Sequence, residues 1–89
     1  MKFMTTWSLK PEHYAQANNR FLTTGGGPPP GVTMLGRWHA LGHGYVLSEA
    51  SDVKPLYEWL HQWSDLLEFT IVPVMDDAEA AAVLQKTKT

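Results

Sequence analysis

Phe3 to Ser8 shows alternation with no helical stripe and closes at Leu9-Lys10-Pro11, which predicts a first strand. Pro11 suits the first turn of a helix, where its missing N–H costs nothing. Tyr14, Ala17, Phe21 and Leu22 then repeat at helical spacing, and the helix stops at Gly25. Gly25-Gly26-Gly27-Pro28-Pro29-Pro30-Gly31 reads as a linker, its glycines free to bend and its prolines extended. A phosphate-cradling glycine loop would follow a strand and open a helix, the reverse of the order here. Val32 to His39 and Gly44 to Glu49 predict a strand pair closed by a four- or five-residue loop around Gly42. Ser51 or Asp52 caps a second helix, with Pro55 in its first turn. Val53, Leu56, Tyr57, Leu60, Trp63 and Leu67 supply its apolar stripe, while Lys54, Glu58, His61, Gln62 and Asp65 face out. Trp59 falls off that stripe, placed to cover a dimer or tail contact. Phe69 to Val74 is a β-branched last strand. Asp76 or Asp77 opens an alanine-rich helix through Leu84, leaving residues 85–89 as a frayed tail.

The order strand-helix-strand-strand-helix-strand, plus a terminal helix, is the split βαβ pattern of a ferredoxin-like α+β sandwich. One domain, residues 1–84, accounts for it. The first two strands should run parallel with the third antiparallel between them. Trp7, His13, Trp38, His39, His43, Tyr45 and Trp63 then gather at one end of the sheet, and Glu49 and the linker at the other. Strict alternation puts Val32, Met34, Gly36 and Trp38 under the helices and Thr33, Leu35, Arg37 and His39 on the opposite face. That second face, shared with Tyr45, Leu47 and Glu49, is too polar for a dry core and too apolar for water. A homodimer through Leu35, Arg37 and Leu47 would satisfy both.

Composition narrows the function classes. Among 89 residues, 7 basic and 9 acidic side chains leave a net charge of −2, no footing for a nucleic-acid surface. Without cysteine there is no disulfide framework, thiolate metal site or cysteine nucleophile. No apolar run approaches the ~20 residues of a membrane span, and the N-terminus lacks a signal-peptide pattern. A soluble, cytoplasmic protein is expected.

Met1-Lys2-Phe3-Met4-Thr5-Thr6-Trp7-Ser8, Gly36-Arg37-Trp38-His39 and Leu56-Tyr57-Glu58-Trp59-Leu60 resemble a small bacterial family described only as a domain of unknown function. The likeness runs from Met1 to about Ala82. That family is similar in turn to the dimeric α/β-barrel group of ferredoxin-like proteins, which includes cofactor-independent oxygenases, small isomerases and non-catalytic binders. The resemblance implies the fold and assigns no catalytic residue.

Candidate chemistry sits at the histidine-rich end. His39 is the candidate general base, since imidazole can both accept and donate a proton, although a histidine hydrogen-bonding across the hairpin or dimer is the simpler reading. Arg37 either clamps an anion bidentately or pairs with Glu49 on its own face. Trp7, Trp38, Tyr45 and Trp63 wall the site or merely fill a thin core, and His43 on the hairpin is a candidate gate. His39 and His43 have zinc-like spacing but span a loop, so no metal and no cofactor are expected. These residues suggest a homodimer binding a small anionic or aromatic molecule, with or without acid–base chemistry at His39. A non-catalytic protein-interaction module is the alternative.

Overall fold

The computed structural model describes residues 1–88. Strand β1 (Lys2–Ser8) passes through a 3-10 turn (Pro11–His13) into helix α1 (Tyr14–Thr24). Strands β2 (Thr33–Ala40) and β3 (His43–Glu49) form a hairpin, followed by α2 (Lys54–His61), β4 (Glu68–Val74) and α3 (Asp77–Thr87). The sheet order is β2-β3-β1-β4, with every neighbouring pair antiparallel. This is the βαββαβ ferredoxin-like α+β arrangement, with α3 added.

Local chemistry explains the boundaries. Gly25 ends α1 at φ +75°, its N–H bonding to the Phe21 carbonyl at 2.7 Å, a left-handed cap that glycine adopts without strain. Asp52 accepts the Lys54 N–H at the start of α2. Asp76 opens α3 with a capping box: its carboxylate accepts from the Glu79 N–H at 2.8 Å and Glu79 accepts from the Asp76 N–H at 3.2 Å. The helix continues to Thr87, past the Leu84 end expected from sequence, and Thr89 lies outside the described residues. The β2–β3 connection is tighter than expected. Ala40 pairs with His43, so only Leu41 and Gly42 turn the chain, and Gly42 supplies the positive φ of +76°.

The core lies between one sheet face and the two helices. Phe3, Val32, Val46, Ala50, Leu56 and Trp59 are its buried members. On α2 the buried side is Leu56 and Trp59, while Tyr57 is exposed, so the stripe is rotated relative to the sequence reading. Either ring fits beside Leu56. The indole is larger, and its N–H finds the Gly26 carbonyl at 3.2 Å. Trp63 belongs to the turns that follow α2, which ends at His61. Thr5 and Ser48 also face the core, fully buried, with hydroxyls that have no partner.

One irregularity sets the rest. Met34 pairs with Ser48 and Gly36 with Leu47, so Leu35 is an extra residue, a bulge. A one-residue slip exchanges the faces of every position beyond it. Arg37 and His39 therefore lie opposite Val46 and Gly44 on the helix side, and Trp38 lies opposite Tyr45 on the open side. The alternation drawn from sequence holds before the bulge and reverses after it.

The open face carries Met4, Leu47, Tyr45, Trp38 and Val72, the last three substantially exposed. Helix α3 buries none of its residues and is tied to the sheet through Lys2, 3.4 Å from Asp76 and 3.2 Å from Glu79. The radius of gyration, 15.2 Å, accordingly exceeds the value of about 12 Å for a compact chain of this length.

Candidate functional site

Between the helices and the β1–β3 end of the sheet lies a cavity of about 210 Å³. Strand β1 contributes Trp7, whose indole lies over Gly44; no side chain at 44 would leave room for it. Strand β2 contributes Arg37 and His39, turned inward by the bulge. Helix α1 supplies Tyr14, Ala17 and Phe21, and the α2 segment supplies Trp59 and Trp63. The hairpin residues Leu41, Gly42 and His43 complete the lining.

The polar geometry centres on Arg37. Its Nη1 donates to the Gly26 carbonyl at 2.8 Å and its Nη2 to the Gly25 carbonyl at 3.0 Å. The guanidinium stacks on Phe21 at 5.0 Å. No carboxylate is paired with it among the described residues, where the ion pairs are those of Lys2 and Arg20. Partial burial pushes the guanidinium below its ordinary value, though it remains a cation. His39 is exposed at the rim but makes edge-to-face contacts with Trp7 at 5.6 Å and Phe21 at 5.1 Å.

A second cation steadies the far wall. Arg20 forms a bidentate pair with Asp65 at 2.9 and 2.7 Å, donates to the Gln62 carbonyl at 3.0 Å and lies 5.3 Å over the Trp63 ring. The hydrogen bond from Arg20 chiefly holds the Asp65 carboxyl below its usual range.

Of the residues singled out from sequence, Trp7, Arg37, His39, His43 and Trp63 line this one cavity. Trp38 and Tyr45 do not. They pair across the hairpin on the open face, 57% and 45% exposed, because the bulge turned that part of β2 over. The same reversal separates Arg37 from Glu49, so the diagonal pairing considered for them is absent. It also removes Arg37 from the dimer face expected for it. Tyr14, Phe21, Gly26 and Trp59 were not anticipated. Gly26 is buried at φ +56°, where a Cβ would press to 3.3 Å from the Trp63 ring and 3.4 Å from Arg37. The Gly-Gly pair ending α1 was the sole sequence sign of that close approach. Among the described residues no three His, Asp or Glu side chains gather closely enough to hold a metal ion, and no helix is long and apolar enough to cross a membrane.

Residues 1–88 match the family model described as a domain of unknown function, DUF3303, and the chain belongs to that family. No curated protein matches it significantly. Among solved structures, one from Deinococcus radiodurans described as a "putative antibiotic biosynthesis monooxygenase" is similar at 14% identity and a TM-score of 0.47, covering 84% of this chain and 92% of that one.

Proposed function

For a member of a family without an assigned activity the geometry must speak, and we propose that this chain is a small-molecule-binding homodimer. The cavity beneath α1 and α2 is its binding site. The observation that carries this reading is Arg37: a cation without a counter-charge, set in an aromatic-lined cavity. Arg37 is half-buried and its charge meets only two backbone carbonyls, so an anionic ligand would supply the absent counter-charge. Trp7, Phe21, Trp59 and Trp63 offer apolar ring surface beside it. His39 completes the site at the rim as a group able to accept or donate a proton, where binding leads on to acid–base chemistry. Leu41 sits on the two-residue turn and His43 opens β3 beside it, both at the edge of the cavity.

The open sheet face is assigned to a second copy. It joins Trp38 and Tyr45 to Leu47, Met4 and Val72 in one apolar surface, and α3 extends from the same domain with Val83 and Leu84 uncovered. Both faces of a sheet are then used, one for the ligand and one for the partner. An exposed apolar patch of this kind would equally fit an interaction module, but the cavity favours the ligand-binding reading.

Amide chemical-shift mapping with a fragment collection tests the site. Shifts are expected at Trp7, Phe21, Arg37 and His39. Fragments that bind only across Trp38 and Tyr45 would overturn it.

A further inference from the structure

The ligand class follows from size and charge together, resting on the reading of this cavity as a ligand site. A volume of about 210 Å³ is only modestly larger than the ~150 Å³ cavity that accommodates one benzene ring, and it falls below the ~300–1,000 Å³ of sites for drug-sized molecules. One ring with a short substituent matches this volume, whereas a fused ring carrying a carboxylate would crowd toward the open mouth. The walls suit a ring as well, since Trp7 and Phe21 already meet His39 edge to face at 5.6 and 5.1 Å.

Charge supplies the substituent. A guanidinium has five N–H donors, and the hydrogen bonds to Gly25 and Gly26 use two of them. The remaining donors are available in a plane that a carboxylate matches. The two glycine carbonyls and Phe21 fix that plane from the α1 side, so the guanidinium is positioned before any ligand arrives. We infer that the cavity takes a monocyclic aromatic carboxylate, its ring among Trp7, Phe21 and Trp63 and its carboxylate on Arg37.

Titrations followed by tryptophan fluorescence, with isothermal calorimetry beside them, test this using benzoate, phenylacetate, benzyl alcohol, hexanoate and 2-naphthoate. Benzoate or phenylacetate should bind saturably, with benzyl alcohol, hexanoate and 2-naphthoate each at least tenfold weaker. Arg37→Gln should lower affinity for the aromatic carboxylates at least tenfold and leave that for benzyl alcohol unchanged. Arg37→Lys, which keeps the charge but loses the planar fork, should fall between. Ala17→Leu, which fills the cavity from α1, should abolish binding of every probe. Equal affinity for benzoate and benzyl alcohol, or tighter binding of 2-naphthoate, would overturn the ligand class and leave the cavity as the site. Binding that survives Ala17→Leu, or no binding by any aromatic probe to the folded protein, would overturn the cavity itself.

Discussion

Two glycines on neighbouring strands answer differently to the same methyl group. At Gly44 a Cβ would enter the Trp7 indole, which is part-buried against His39 and could shift only into the ligand cavity. Gly44→Ala should therefore cost about 3 kcal/mol by overpacking. At Gly36 the obstacle is the Trp38 ring on the open face, exposed in the single chain, so Gly36→Ala should cost that chain under about 1 kcal/mol and act chiefly on the dimer contact. Urea denaturation of the two variants checks the contrast. Thr5 presents the opposite case, a fully buried hydroxyl with no partner. Thr5→Val keeps the shape and removes the unmet hydrogen bond, so stability should rise by about 1 kcal/mol. A fall in the denaturation midpoint would show that the hydroxyl is satisfied in solution.

At the level of elements, α3 is held by one short cluster. Asp76 is kept below its ordinary value of 3.8 first by the Glu79 N–H and also by Lys2, and Lys2 is raised above 10.5 first by Glu79. A carboxyl depressed in the folded state stabilises it fully above its unfolded value and loses that contribution as pH falls through the folded value. A raised amine does the reverse, contributing until pH climbs through its folded value above 10.5. Between those limits the attachment of α3 should not vary with pH; below pH 3.8 it should loosen, seen as faster amide exchange in residues 77–87 while β1 stays protected. All four strands and the start of α3 were legible because alternation and Asp76 act locally, while α1 and α2 begin at Tyr14 and Lys54, later than Pro11 and Asp52 suggested. The facing of Arg37, His39 and Trp38 was not legible. Thr33-Met34-Leu35-Gly36-Arg37 reads as an unbroken strand, and the bulge at Leu35 exists only in the pairing with β3. Trp59 and Tyr57 were likewise exchanged because the helix pattern alone cannot show which ring meets the Gly26 carbonyl.

For the whole molecule, the expected particle is a dimer of about 20 kDa, twice the 10.0 kDa chain, held together at micromolar concentration. Trp38→Lys should return it to a monomer with the cavity intact, and light scattering decides. A persistent dimer would move the interface elsewhere, to α3 for instance. The bulge then acquires an evolutionary meaning. Leu35 is a single codon, yet as the unpaired residue it lets Met34 and Arg37, three positions apart, share the helix face. Its deletion would close the ladder with Met34 still opposite Ser48 and Gly36 still opposite Leu47, so Arg37 should stay in the cavity and Trp38 on the open face, readable as unchanged indole emission. Two functions placed on opposite sides of one sheet thus depend on the pairing with β3, and a lineage that lost this one residue would keep both.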